Sequence, residues 1–247
     1  MRAARCDHFL GGRVAAWQPV SGFRSGTDAV LLAAAVPALP GQTLLDLGCG
    51  AGVAGLCAAA RTGARVTGLE REPTYAALAR RNGLEVVEGD VGAMPAALRA
   101  LRFDHVMTNP PFYDRGRGSR APDPLREAAL GEDVPLADWL DAALRRLAPR
   151  GTVSVVLAAS RLADALGALE GRAGSVRVLP VAPHADEAAR RVVLRAQKGG
   201  RAPLILLPPL ILHRGDGEVH GAGSSDTHTE RAGAILRGGA ALPMGTI

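Results

Sequence analysis

Lysine is almost missing from this sequence: of 29 basic residues, only Lys198 is not an arginine. The cationic groups are therefore planar guanidinium forks, which bind two oxygens of a phosphate or carboxylate at once. Genomic base composition accounts for part of such a bias, so the net charge of +5 permits a nucleic-acid partner without demonstrating one. Aromatic residues are scarce as well, at 3% of 247, while hydrophobic residues reach 47%. The interior must be built from Ala, Leu and Val, and it is large enough for one α/β domain. No apolar run approaches about 18 residues, which excludes a membrane-spanning helix of ordinary length. The first residues carry no signal-peptide pattern, so a cytoplasmic protein without a membrane partner is expected. Cys6, Cys49 and Cys57 show no C-x-x-C spacing, which argues for a reducing compartment and against a zinc site. His184, His213, His220 and His228 are scattered along the chain, so no metal is expected. There is no internal repeat, and a monomer is the favoured state.

Apolar runs and helical patterns alternate along the chain. Strands are expected at Thr43–Leu47, Arg65–Leu69, Leu84–Val87, Phe103–Thr108, Thr152–Ala158, Val176–Val181 and Arg191–Ala196. Helices are expected from Thr27 to Val36 and over Ala51–Arg61, Pro73–Arg81, Leu136–Leu147 and Leu162–Leu169. That βαβα order implies a mainly parallel sheet with helices on both faces. Residues 1–25 read as irregular. Pro203–Leu212, apolar with a double proline, reads as an edge segment. The Gly-, Ser- and His-rich stretch after His213 reads as a loop.

The loop Asp46-Leu47-Gly48-Cys49-Gly50-Ala51-Gly52 joins the first of these strands to its helix. Glycine at alternate positions allows a tight turn and close approach of a ligand. Gly50, Gly52 and Gly55 also satisfy G-x-G-x-x-G, with Glu70 near the acidic position of a dinucleotide site, so a nicotinamide cofactor must be weighed. The acidic residues point elsewhere. Asp46 at one strand end suits a cationic amino group. Glu70 at the next suits two ribose hydroxyls. Asp90, in Glu88-Gly89-Asp90-Val91 at the third, suits an adenine amine. Three carboxylates on successive strand ends fit a cationic nucleoside without phosphates, such as S-adenosylmethionine, better than a pyrophosphate.

Asn109-Pro110-Pro111-Phe112 follows the strand Phe103–Thr108, at the ligand side of an open α/β sheet. Proline lacks an N–H and fixes φ, and each residue before proline is kept out of the helical region. The result is a stiff rim of carbonyl acceptors beside an aromatic ring. The Asn109 side-chain oxygen and the Pro110 carbonyl can each take one N–H of a planar amine while Phe112 stacks on its ring. Such a group would be held by positioning and electrostatics, without a covalent intermediate.

These motifs together resemble the Rossmann-like class I S-adenosylmethionine-dependent methyltransferases that act on amide or exocyclic amine nitrogens. Phe9-Leu10-Gly11-Gly12-Arg13 and Gly22-Phe23-Arg24-Ser25-Gly26-Thr27-Asp28-Ala29-Val30-Leu31-Leu32 are similar to the leading segment of the bacterial tRNA1(Val) adenine-37 N6-methyltransferase family. Leu206-Leu207-Pro208-Pro209-Leu210-Ile211-Leu212 and the stretch from Thr229 through Leu236 resemble it too. The resemblance covers nearly the whole chain. It implies a seven-stranded sheet with one antiparallel late strand, a tRNA substrate, and catalysis through Asn109, Pro110, Pro111 and Phe112. Cofactor contacts are implied for Arg24, Thr27, Asp46, Gly48, Gly50, Gly52, Glu70, Asp90, Val91 and Asn109. Substrate contacts are implied for Phe112, Tyr113, Arg115, Arg117 and Arg120. Residues 1–40 would form a leading segment and cofactor lid, 41–200 the cofactor-binding core, and 201–247 an apolar edge and tail. The fourth motif position is Phe112 where many adenine enzymes carry tyrosine, and Gly215–Asp226 reads as an insertion. Trp17 and Phe23 are equally consistent with packing and with ligand contact. Rival substrates are a protein glutamine, whose enzymes usually carry a helical N-terminal domain, and an rRNA guanine, whose enzymes often have a His after the Phe. Only 45 residues precede Asp46 here, and Tyr113 follows Phe112.

Overall fold

Residues 1–25, expected to be irregular, instead open with an antiparallel hairpin in the computed structural model, which describes residues 3–111, 113–114, 131–132, 134–215 and 227–245. Strand β1 (Ala4–Phe9) pairs with β2 (Val14–Pro19), from Ala4 opposite Pro19 to Phe9 opposite Val14. The strands mix Arg5, Asp7, His8 and Gln18 with few large apolar residues, so no alternation stands out in the sequence. The turn fixes them: Gly11 and Gly12 adopt φ of 66° and 91°, which glycine takes without steric cost.

Then come α1 (Thr27–Ala35), β3 (Thr43–Leu47), α2 (Val53–Thr62), β4 (Arg65–Glu70), α3 (Pro73–Arg81), β5 (Glu85–Glu88), the single turn α4 (Ala96–Arg99) and β6 (Phe103–Thr108). Two short paired strands follow, β7 (Tyr113–Asp114) and β8 (Gly131–Glu132). The second half contains α5 (Leu136–Arg146), β9 (Leu147–Ala158), α6 (Leu162–Leu169), β10 (Ala173–Ala182), β11 (Arg191–Lys198), β12 (Ile205–Leu206), β13 (Leu210–Ile211) and α7 (Glu230–Leu236). Helix α2 starts at Val53, two residues later than its composition implies, because Gly50 and Gly52 hold positive φ of 55° and 86°. Helices α4 and α7 were not expected. The latter is capped by Thr229, whose hydroxyl accepts from the Ala232 N–H at 3.2 Å.

The main sheet runs β12-β10-β11-β9-β6-β3-β4-β5, with β13 also beside β10. Strands β5, β4, β3, β6 and β9 pair in parallel, whereas β11 is antiparallel to both β9 and β10. This is the mainly parallel architecture of the class I Rossmann-like methyltransferases, seven long strands with one antiparallel, extended at the β10 edge by two two-residue strands. The chain leaves β3 toward β4 and β5 on one side and returns to β6 on the other. The crevice between the carboxyl ends of β3 and β6 is thus the switch point where open α/β sheets take ligands.

Two apolar layers sandwich the sheet. Leu44, Met107, Val156 and Val193 face α1, α2 and the C-terminal segment with Ile235, Leu242 and Met244. Leu45, Leu47, Val106 and Val155 face α5 and α6. Successive side chains in a strand point to opposite faces, which sends Asp46 to the α2 side. Helix α1 is buried along Ala29–Ala35, and its C-terminal carbonyls accept from Arg61 and Arg195. Cations at that end of a helix offset its dipole. No helix among the described residues is long and apolar enough to cross a membrane.

Candidate functional site

A cleft opens at the carboxyl ends of β3, β4, β5 and β6, and the glycine loop forms its floor. The chain must turn immediately after Leu47. Gly48 does so at φ 72°, and a Cβ there would lie 2.7 Å from Cη2 of Trp139. The Gly48 and Cys49 N–H groups donate to the Leu69 carbonyl at 2.8 and 3.0 Å, hooking the loop onto the end of β4. Gly52 N–H donates to the Cys49 carbonyl at 2.8 Å. Gly50 N–H donates to Oε2 of Glu70 at 2.8 Å, and Glu72 N–H donates to Oε1 at 2.8 Å. Glu70 therefore holds the loop from the neighbouring strand. Burial raises its carboxyl above the ordinary range, opposed by the Glu72 and Gly50 amides and by Arg71.

Asp46 is 2% exposed. Desolvation pushes its carboxyl up to about 7; the Gly55 amide opposes the rise and the Glu70 charge adds to it. Asp90 accepts from the Gly92 N–H at 2.7 Å through Oδ1 and lies 3.6 Å from an Arg71 guanidinium nitrogen through Oδ2. Val91, Pro110 and Pro111 complete the far wall with Asn109.

Buried polar atoms ordinarily find hydrogen-bond partners. Among the described residues, Asp46 Oδ2, Asn109 Oδ1, Trp139 Nε1 and Arg195 Nε have none. The first three belong to residues lining this one cleft. A ligand with polar groups of both kinds would meet them. The same hydrogen bonds weigh against a dinucleotide. A pyrophosphate is cradled by free amides at a helix N-terminus. Here the Gly48, Cys49, Gly50 and Gly52 amides are already engaged, and two buried carboxyls stand beside them.

Of the residues singled out from sequence, Asp46, Gly48, Gly50, Glu70, Asp90, Val91, Asn109, Pro110 and Pro111 line the cleft. Gly52 does not: it is the residue before α2, and a Cβ on it would meet Leu84 at 3.1 Å and Ala79 at 3.3 Å. Arg24 and Thr27 do not either. Arg24 bonds Asp7 at 2.6 Å, and Thr27 is the first residue of α1. Their neighbours Phe23 and Ser25 face the cleft instead. Trp17 lies under Arg81, 3.8 Å from its guanidinium carbon to the ring centre. Phe112, Arg115, Arg117 and Arg120 fall outside the described residues, as do residues 216–226 of the expected insertion; of Tyr113, only its place in β7 is described.

Tyr75 and Trp139 line the cleft and were not read from sequence as site residues. Tyr75 is 2% exposed; its hydroxyl accepts from the Phe23 N–H at 2.8 Å and donates to the Phe23 carbonyl at 3.2 Å. An aromatic residue in the helical turn after an acidic strand end was the available signal. No group of three or more His, Cys, Asp or Glu among the described residues is placed to hold a metal.

The methyltransferase small domain family matches residues 23–180, a span that contains every described residue lining the cleft. The chain belongs to this family. A relative from Dickeya chrysanthemi, named tRNA1(Val) (adenine(37)-N6)-methyltransferase, is 32% identical over 192 residues, covering 72% of this chain and 74% of the relative. One of the same name from Shewanella halifaxensis is 32% identical over 145 residues, covering 55% of this chain. The chain thus spans 58% of the length of that relative. A crystal structure described as a predicted O-methyltransferase from Agrobacterium tumefaciens is 30% identical, with a TM-score of 0.69 over 87% of this chain and 98% of that one. Within the matched span, the glycine loop, the acidic strand ends and the Asn-Pro-Pro rim line one cleft.

Proposed function

We propose that this protein is an S-adenosylmethionine-dependent methyltransferase acting on the exocyclic N6 of an adenine in tRNA, with adenine 37 of tRNA1(Val) as the specific candidate. The observation that carries the reading is the Asn109 side-chain oxygen, buried and without a partner at the rim of a cleft whose other end is acidic. Glu70 would take the ribose hydroxyls with the acceptor capacity its two amide bonds leave over. Asp46 would face the cationic amino group, and Asp90 with Val91 the adenine. When bound, the cofactor supplies an electrophilic methyl group on a sulfonium.

The chain's part in the reaction is to prepare the nucleophile. An aryl amine is weak because its lone pair is delocalised into the ring. Asn109 Oδ1 would accept a hydrogen bond from one of its N–H groups and the Pro110 carbonyl from the other, favouring a pyramidal nitrogen; after methyl transfer the cationic nitrogen releases one of these protons to solvent. Pro110 and Pro111 hold these acceptors stiffly, so little reorganisation is needed. Two acceptors suit an amine with two protons better than a hydroxyl with one. That distinguishes the reading from oxygen methylation, the chemistry named for the Agrobacterium structure. The tRNA substrate is supported by the names of the curated relatives and by the arginine-rich composition. The target base must be unpaired or flipped out of its stack, as an anticodon-loop base can be. A cytoplasmic location is part of the same reading.

The test is incubation of the purified protein with methyl-labelled S-adenosylmethionine and unmodified tRNA transcripts, followed by digestion to nucleosides. Label is expected in N6-methyladenosine and lost with Asn109→Ala, which should keep cofactor affinity within a few-fold while rate falls roughly 10²-fold or more. Label in a ribose 2′-O-methyl group would overturn the nitrogen assignment. Absence of label in tRNA while the cofactor binds would remove the substrate and turn the search to rRNA and to protein glutamine.

A further inference from the structure

Trp139 occupies an apolar position of an amphipathic helix, yet it lines the cleft. It is the fourth residue of α5, and its ring packs against Gly48 so closely that a Cβ there would stand 2.7 Å from Cη2 and 3.0 Å from Cζ3. The loop glycine thus leaves room for an indole as well as for a ligand. Trp139 as a residue is 9% exposed, and its Nε1 is buried without a hydrogen-bond partner. An indole nitrogen is only a donor, and buried tryptophans usually find an acceptor. Its neighbours along the helix, Leu136, Leu140 and Ala143, are apolar and buried. The cleft also contains Asp46 Oδ2 and Asn109 Oδ1, each an acceptor without a donor. If Trp139 only filled space, a leucine or phenylalanine would do so without burying an unpaired N–H, which costs free energy.

We infer that Trp139 is a ligand-contacting residue of this site, its indole N–H donating to an oxygen of the bound nucleoside-amino-acid cofactor. The inference rests on the cofactor reading above and adds a buried, unpartnered donor beside the two unpartnered acceptors, Asp46 Oδ2 and Asn109 Oδ1. Asp46 and Glu70 can only accept from the amine and hydroxyls when ionised, so they leave the ligand's own lone pairs unmet. Trp139 supplies the complementary hydrogen bond from the opposite face of the sheet, since Leu45 and Leu47 of β3 pack on its side and Asp46 on the other.

The test uses S-adenosylhomocysteine, which keeps every oxygen of the cofactor and undergoes no transfer. Titration calorimetry compares the full-length protein with Trp139→Phe, which retains a ring and loses only the donor and some volume. The affinity of Trp139→Phe is expected to fall roughly tenfold, the loss of one hydrogen bond. Thermal unfolding without ligand provides the opposite-signed readout. A filler role would lower the melting temperature and spare affinity, whereas loss of an unpaired donor leaves the melting temperature near wild type. In a Trp17→Phe background, Trp139 is the remaining tryptophan, and its emission should shift on addition of S-adenosylhomocysteine. Affinity of Trp139→Phe within two-fold of wild type, or an unchanged emission at saturation, overturns the inference and leaves the cofactor reading intact. Failure of the wild-type protein to bind S-adenosylhomocysteine would sink both.

Discussion

Glu70 at the end of β4 and Gly50 in the loop after β3 are joined through Oε2 and the Gly50 N–H at 2.8 Å. With the Glu72 N–H on Oε1, also at 2.8 Å, one carboxylate shapes the loop before any ligand arrives. Preorganisation of this kind reduces what binding must spend on ordering.

Replacing Glu70 with glutamine should therefore be more damaging than its size implies. The amide can accept from only one of the two N–H groups, and its NH₂ must face the other. Cofactor affinity is expected to fall by roughly 10- to 100-fold, the effect of a lost hydrogen bond to a charged group plus a misdirected donor. Calorimetry with S-adenosylhomocysteine checks it, and affinity within two-fold of wild type would show that the carboxylate is dispensable.

The loop glycines should separate folding from binding. Gly48 has positive φ and Trp139 against it, so Gly48→Ala is expected to destabilise the fold by about 2–4 kcal/mol, combining overpacking with left-handed strain. A Cβ on Gly50 meets no protein atom within 4 Å, and the residue lines the cleft. Gly50→Ala should lose about 1 kcal/mol from its φ of 55° while cofactor affinity falls much further. Gly50→Val should abolish binding. Urea unfolding and ligand titration on the same samples would reveal whether the two positions differ.

Why these roles were unequally legible follows from their physics. Thr43–Leu47, Phe103–Thr108 and Pro73–Arg81 come out with the expected bounds because a short apolar run bounded by Gly or Asn, or a helix with proline in its first turn, is a local signal. The positions of the acidic residues and of Asn109 were readable for the same reason: Asp46 and Glu70 stand at the ends of β3 and β4, and Asp90 and Asn109 come just after β5 and β6. The β1–β2 hairpin was not, because its stability is non-local. The Asn82 side chain accepts from the Trp17 N–H at 2.7 Å and donates to the Trp17 and Ala51 carbonyls at 2.9 Å each, 65 and 31 residues away in sequence. Trp139 read as one apolar position of an amphipathic helix, and only the fold brings it under Gly48. In the leading segment, the sequence pointed to Arg24 and Thr27, but the ion pair with Asp7 turns Arg24 aside and leaves Phe23 and Ser25 at the cleft.

That tie between hairpin and loop is testable. Asn82→Ala removes three hydrogen bonds and should cost about 2–3 kcal/mol of stability. Tyr75→Phe removes the hydroxyl that grips both backbone groups of Phe23. It should raise the KM for the cofactor several-fold with kcat nearly unchanged, since Phe23 lines the cleft and Asn109 is untouched. Proteolysis of the leading segment should speed up in both variants; equal digestion rates would place the anchorage elsewhere.

The raised carboxyl of Asp46 gives the site a pH dependence of definite sign. In the unfolded chain its proton leaves near 3.8, and in the folded protein at about 7. Between those values the folded state binds more protons than the unfolded, so Asp46 makes stability fall as pH rises, at up to about 1.4 kcal/mol per unit. The contribution is fully present below the unfolded value and is lost as pH passes the folded one. Asp46→Asn cannot titrate, so the difference between wild-type and variant melting temperatures should decline steadily from pH 4.5 to 7.5. Ligand reverses the preference, because a cationic amino group beside Asp46 favours the ionised carboxylate. S-adenosylhomocysteine affinity should accordingly rise with pH up to about 7 in the wild type and stay flat over that range in Asp46→Asn. A wild-type affinity that does not change between pH 5.5 and 7.5 would mean that Asp46 is already ionised in the free protein, or that the cation binds elsewhere. The difference in melting temperatures separates these two cases, since only the first also flattens it.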